Sequence, residues 1–294
     1  MKSLDQLCTV RDRVFDPSRR DTVLDLTDLI EDRINAHSFF KTNYVTDGMR
    51  ALLREAFDRF ARRSQQGTFL LTQAMGGGKT HNMIALGLLA EHPELREEVL
   101  ESDYDPNLGK VRVAAFTGRE SDAPLGIWGS IADQIGKKDQ FSEYYSPLSE
   151  PGQTAWVNLL KGEPTLILLD ELPPYFEVAR AKEIGNADLA TVTTAALSNL
   201  LGAVNRPELE NVCVVISDLT ATYGEGSQQI GQALNNLENE AGRSAMQLEP
   251  VRQNTNEIYH ILRKQIFESL PDDDEVQKVA TGYAQAVKDA KQMD

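Results

Sequence analysis

The sequence predicts an α/β fold in which a doubly wound, mainly parallel five-stranded sheet is flanked by helices. Three observations predict it. Short apolar runs alternate with stretches of helical periodicity along the chain, the grammar of parallel strands joined by crossover helices. One run, Leu166-Ile-Leu-Leu169, is unbroken by polar residues, as suits a strand covered on both faces. The 294 residues, 41% hydrophobic and 26% charged, suffice for one sizeable core.

In chain order, Val23, Leu24, Leu26, Leu29 and Ile30 are spaced as one face of a helix. Thr46 reads as an N-cap for a helix over Asp47–Arg63, where Met49, Leu52, Leu53, Ala56, Phe57 and Phe60 recur at three- and four-residue intervals. Arg50, Arg54, Arg59, Arg62 and Arg63 are then expected on its outer, solvated face. Strands are expected at Thr68–Thr72, Val111–Phe116, Thr165–Leu169, Val212–Ile216 and Ala245–Leu248. Ser121–Gly162, with Pro124, Pro147, Pro151 and a helix near Trp128–Ile135, reads as an insertion between strands. An amphipathic helix is expected over Asn256–Leu270, and after the charged break Pro271-Asp-Asp-Asp-Glu275 a final helix to about Ala290.

Charge narrows the partners. Thirty basic side chains against 45 acidic ones give a net charge of −15, which repels polyphosphate backbones. DNA is therefore expected only indirectly or through regions outside this chain. Cys8 and Cys213 lie far apart, with no further Cys or His at ligand spacing, so they read as a free thiol and a buried strand residue. The N-terminus lacks the apolar core of a signal peptide, and the longest apolar stretch, Met83–Ala90, is far short of a membrane span. A cytoplasmic protein without membrane contact is expected.

The chemistry concentrates in two segments. Gln73-Ala74-Met75-Gly76-Gly77-Gly78-Lys79-Thr80 stands between a strand and a helix around His81–Ala90. Phosphate binding needs converging backbone N–H groups and a helix N-terminus, and only glycines let the chain approach so closely. Gln73 to Thr80 thus form a phosphate cradle, a P-loop, for ATP with Mg²⁺, with Ala74 to His81 as the residues that meet the nucleotide. Lys79 would hold the β- and γ-phosphates and Thr80 would ligate Mg²⁺. Gln73 occupies the position where G-x-x-x-x-G-K-T has its first glycine. The second segment, Thr165-Leu-Ile-Leu-Leu-Asp170-Glu171, is a strand ending in carboxylates. Asp170 would hold the Mg²⁺ shell, and Glu171 would reach the water that attacks the γ-phosphorus. The roughly ninety residues between the segments leave room for one strand and its helices, as in the additional-strand class of P-loop proteins. Ser217 and Asp218, at the end of the fourth strand, are both candidates for a sensor of the γ-phosphate. His81, on the first helical turn, is a candidate hydrogen-bonding group near the nucleotide.

Six short motifs fall in a fixed order: Phe39-Phe40 with Tyr44-Val-Thr46-Asp-Gly48-Met49; Gly76-Gly-Gly-Lys-Thr-His81; Leu125-Gly-Ile-Trp-Gly129-Ser-Ile-Ala132; Leu168-Leu-Asp-Glu171-Leu; Arg243 with Pro250-Val251; and a helix with Arg263 and Phe267. Together they resemble the AAA+ ATPases of domain-of-unknown-function family four-nine-nine (DUF499) over nearly the whole chain. The sequence departs from that pattern at Met75, the position before the glycine triplet at which the family pattern has phenylalanine. The resemblance implies an N-terminal helical extension with the pre-strand helix in residues 1–63, the ATPase core in 64–255 and the beginning of an incomplete helical lid in 256–294. It implies a homo-oligomer in which Arg243 reaches the neighbouring subunit's γ-phosphate as a catalytic arginine. It also implies ATP-driven conformational work in bacterial or archaeal antiphage defence beside DNA methyltransferases, with defence-system proteins as partners. Because such relatives are much longer, the chain is expected to be an N-terminal ATPase portion or an abbreviated member. The reading from another class is a regulatory nucleotide-binding switch with little turnover. A helicase is disfavoured, since no further helicase motif accompanies the two nucleotide segments.

Overall fold

The computed structural model describes residues 7–15, 24–72, 76–101, 104–119, 123–218, 227–241, 245–251 and 256–291. Contacts divide the chain into two compact units. The larger, residues 24–41 and 45–253, holds a five-stranded sheet. Its strands are β1 (Thr68–Thr72), β2 (Arg112–Thr117), β3 (Thr165–Asp170), β4 (Val212–Asp218) and β5 (Met246–Leu248). All neighbours are parallel, in the spatial order β2-β3-β4-β1-β5. The strand between the two carboxylate and phosphate-loop segments in sequence, β2, is an edge strand. The strand between them in space is β4.

The side chains explain the layers. Successive strand residues point to opposite faces, so Phe69, Leu71, Ala115, Leu166, Leu168, Cys213 and Val215 enter one cluster, and Leu70, Phe116, Ile167, Leu169, Val214 and Ile216 the other. On the first face lie α1 (Leu26–Ile30), α2 (Ala36–Thr42), α3 (Asp47–Phe60), α4 (Lys79–Glu91) and α5 (Arg96–Leu100). On the second lie α6 (Gly126–Gln134), α7 (Gln153–Leu160), α8 (Leu172–Ala179), α9 (Leu189–Val204) and α10 (Ser227–Ala241). Every residue of β3 is buried, which is why its sequence reads as a continuous apolar run. Cys213 is free and buried, and Cys8 is free and half-buried.

One expectation is corrected. Arg59 is not on a solvated face of α3 but is 3% exposed. Its guanidinium donates to the carbonyls of Val212 (3.0 Å), Val204 (2.6 Å), Leu209 (2.8 Å) and Gln65 (3.1 Å), at the N-terminal ends of the strands. These carbonyls lie where helices end and strands begin, so the buried cation supplies donors to the backbone at that end of the sheet. Arg50, Arg54, Arg62 and Arg63 do lie at the surface, each with a carboxylate within 4 Å.

The smaller unit comprises residues 1–23, 42–44 and 254–294. Within it, α11 (Glu257–Ile266) ends four residues before the expected Leu270, because Phe267–Ser269 leaves the helix to pair antiparallel with Thr9–Val10. Tyr44 stacks on His260 with ring centroids 5.2 Å apart. The last helix, α12 (Asp273–Lys291), buries none of its side chains. Among the described residues no helix is long and apolar enough to cross a membrane.

Candidate functional site

The C-terminal ends of β1, β3 and β4 bring the predicted site residues together, and ligands of open parallel sheets sit outside these ends. After β1 the chain turns through Gly76 and Gly78, whose φ values are +79° and +83°, a left-handed conformation open to glycine without strain. Gly78 is the N-cap of α4, a 13-residue helix. The first turn of α4 begins at the buried Lys79, a helix N-terminus of the kind that can receive an anion. Ala74 and Met75 lie outside the described residues, as does Gln73.

Asp170, at the tip of β3, is 3% exposed. The Thr80 hydroxyl donates to its Oδ2 at 2.6 Å, a contact across ninety residues of sequence. Its Oδ1 accepts from the Ser217 hydroxyl and from the Glu171 N–H, at 3.0 Å for the latter. Ser217 is itself fully buried and also lies 3.2 Å from the Glu171 nitrogen. Of the two sensor candidates, Ser217 therefore touches the carboxylate cluster. Asp218 pairs its backbone with Thr72 at the end of β4, and its side chain lies outside the described residues.

Glu171 adopts φ 48° and ψ 40° as the N-cap of α8. For a non-glycine residue this left-handed conformation costs of order 1 kcal/mol. Its neighbour across the sheet end is Gly118, whose N–H donates to Asp170 O at 2.8 Å. A Cβ there would lie 1.8 Å from the Glu171 carbonyl oxygen, so only glycine fits. The next residue, Arg119, grips the Glu171 carboxylate with two guanidinium nitrogens, Nε on Oε2 and Nη2 on Oε1 at 3.2 Å. The arginine is mostly exposed and the glutamate is one-quarter exposed, so the pair is worth at most about 1 kcal/mol. Sequence reasoning missed Arg119. The available signal was a cation three residues after a predicted strand.

His81 packs its ring 5.0 Å from Phe39, and burial lowers its pKa below the ordinary value, which keeps the imidazole neutral. Beside the glycine loop, the Thr46 hydroxyl accepts from Met49 N–H at 3.1 Å and donates to Pro250 O at 2.6 Å. A Cβ on Gly48 would collide with Glu249 O at 1.9 Å, and one on Gly78 would lie 3.9 Å from Pro250 Cβ. The start of α3 and the turn after β5 are thus locked together next to the loop. Arg243 lies outside the described residues.

The donor set fits Mg²⁺. Thr80 Oγ1 and Asp170 Oδ2 are two hard oxygens, one of them charged, at a helix N-terminus. Mg²⁺ characteristically takes one or two protein oxygens and leaves its other positions to phosphates and water. A family model described as the DUF499 N-terminal domain matches residues 1–115 and 120–247. No curated protein matches the chain.

Proposed function

We propose, for a chain that belongs to the DUF499 family, that this domain is an AAA+ P-loop ATPase that binds Mg-ATP and couples its hydrolysis to conformational change. The observation that carries the reading is the bond between Thr80 and Asp170. It joins the glycine-loop helix to a carboxylate strand tip with β4 inserted between their strands, as in the additional-strand class of P-loop proteins.

On this reading each residue has one task. The N–H groups of Gly76 to Thr80 and the Lys79 ammonium bind the β- and γ-phosphates, the lysine as a mobile cation beside backbone dipoles. Thr80 and Asp170 would hold Mg²⁺, which when bound neutralises phosphate charge. Ser217 fixes the Asp170 rotamer by occupying Oδ1. Glu171 orients the attacking water and takes its proton once its carboxylate leaves Arg119.

Calorimetric titration with Mg-ATP tests the binding step: micromolar-range affinity for the wild type, none measurable for Lys79→Ala. A folded Lys79→Ala protein that binds as tightly as wild type sinks the proposal.

A second reading, a nucleotide-dependent switch with little turnover, is favoured by the Arg119 grip on Glu171, which occupies both carboxylate oxygens. Steady-state ATPase rates with and without added DNA separate the two. Hydrolysis that appears in Arg119→Ala but not in wild type supports the switch. Work in antiphage defence remains part of the proposal through the family resemblance; equal phage plating on cells carrying wild type or Lys79→Ala would oppose it.

A further inference from the structure

Helix α12 carries an exposed apolar stripe that the nucleotide site does not use. At 100° per residue, Val276, Ala280, Tyr283, Val287 and Ala290 fall within an arc of about 80°, a narrow stripe of the kind that pairs helices. Val276, Tyr283 and Val287 are 41%, 48% and 55% exposed, and α12 has no buried residue along its 19 positions. Single exposed apolar residues are ordinary, but a continuous stripe along five turns is not.

The charges select the occupant. Asp273 and Lys291 are eighteen residues apart, about five full turns, so they lie on the same edge of the stripe at opposite ends of the helix. The other edge is formed by Val279 and Ala286. Asp274, Glu275, Lys278, Lys288 and Asp289 all point away from the stripe by about 100° or more. In an antiparallel pair related by a two-fold axis, like edges face each other and opposite ends meet. Asp273 of one copy then faces Lys291 of the other, twice. In a register only one residue's rise away, about 1.5 Å, Val276 stands opposite Val287 and Ala280 opposite Tyr283. A parallel pair would instead gather both acidic first turns at one end and align the helix dipoles. Asp273 has an intramolecular cation, Arg263, only at 3.9 Å, and is 94% exposed.

We propose that α12 is a self-association helix, pairing antiparallel with α12 of a second copy of this chain. A helix about 28 Å long buries less than about 1,200 Å² in such a pair, the lower limit for stable dimers, so the association is weak, on the order of 10 μM.

Sedimentation equilibrium of the whole chain, without nucleotide and at low salt, reads the mass from about 1 to about 300 μM. The mean mass is expected to climb from 32.7 kDa toward twice that value. Tyr283→Glu abolishes the rise, while circular dichroism confirms that this exposed substitution leaves the fold intact. Asp273→Lys and Lys291→Asp each weaken association about tenfold alone, and an equimolar mixture of the two recovers it, because every facing pair in the mixed dimer is again of opposite sign. A constant 32.7 kDa overturns the proposal. So does a dimer that survives Tyr283→Glu, or charge-reversed variants that do not complement each other on mixing.

Discussion

The two ends of one sheet treat buried polarity differently. At the N-terminal ends of the strands, Arg59 donates to backbone carbonyls, acceptors that cannot move without unravelling the chain. At the C-terminal ends, Thr80, Asp170, Ser217 and Glu171 bond to one another, through side chains and short contacts that a phosphate, a cation or a water can replace. The first arrangement is a staple. The second is a set of exchangeable partners, held in place by buried strands but not committed to one configuration.

The largest effect should come from breaking the staple. Arg59→Leu leaves several buried carbonyls without donors, and at a fully enclosed site this costs about 3 to 5 kcal/mol of unfolding free energy, measurable as a lowered urea midpoint. A loss under about 1 kcal/mol would mean that the carbonyls find water and that the two ends are less different than they look.

At the other end, Glu171→Gln should leave ATP affinity unchanged and lower turnover about 10²-fold or more, since an amide keeps the shape but cannot take a proton. A mutant that keeps pace with an active wild type removes Glu171 from the chemistry. Ser217→Ala should be milder. It removes one donor from a carboxylate that retains Thr80 and the Glu171 N–H, so Mg-ATP affinity should fall about tenfold with stability changed by about 1 kcal/mol. If stability falls as far as in Arg59→Leu, the cluster is structural after all.

How much of this was legible in the sequence differs between the ends as well. β1, β3 and β4 begin at the predicted residues, and β2 and β5 begin one residue later, because the strands are short apolar runs cut off by polar residues. Their spatial order was not legible, since it depends on how far each crossover travels and no single residue encodes that. The glycine loop and the carboxylate strand tip announce themselves through residue types that few other tasks require. Arg59 was misjudged because its charge outweighed its spacing. It stands three residues after Ala56 and seven after Leu52, on the buried stripe, and its acceptors are carbonyls about 150 residues away that leave no mark in composition. Arg119 was invisible for a related reason: its partner lies 52 residues off.

The smallest expected effect concerns pH. Burial lowers the His81 pKa from its ordinary 6.5, so the folded state binds a proton less readily than the unfolded chain. The stability contributed by neutral His81 is complete above about pH 6.5 and is lost as pH falls below it, toward the folded-state value. Replacing it, His81→Phe should make the decline in melting temperature between about pH 7 and about pH 5 shallower. An unchanged slope would assign that decline to the carboxylates instead.

The outer edge of β2 bears on how copies of this protein can meet. Gln134 of α6 accepts from the Ala115 N–H and donates to the Ala115 carbonyl, both at 2.8 Å, so one side-chain amide does what a sixth strand would do. Open strand edges invite other chains to extend the sheet. Here the middle of that edge is already spoken for, and an incoming strand would have to evict a side chain anchored on a packed helix. Among the described residues it is this one amide that blocks the middle of the edge, so a strand added there must first break two hydrogen bonds to a packed helix.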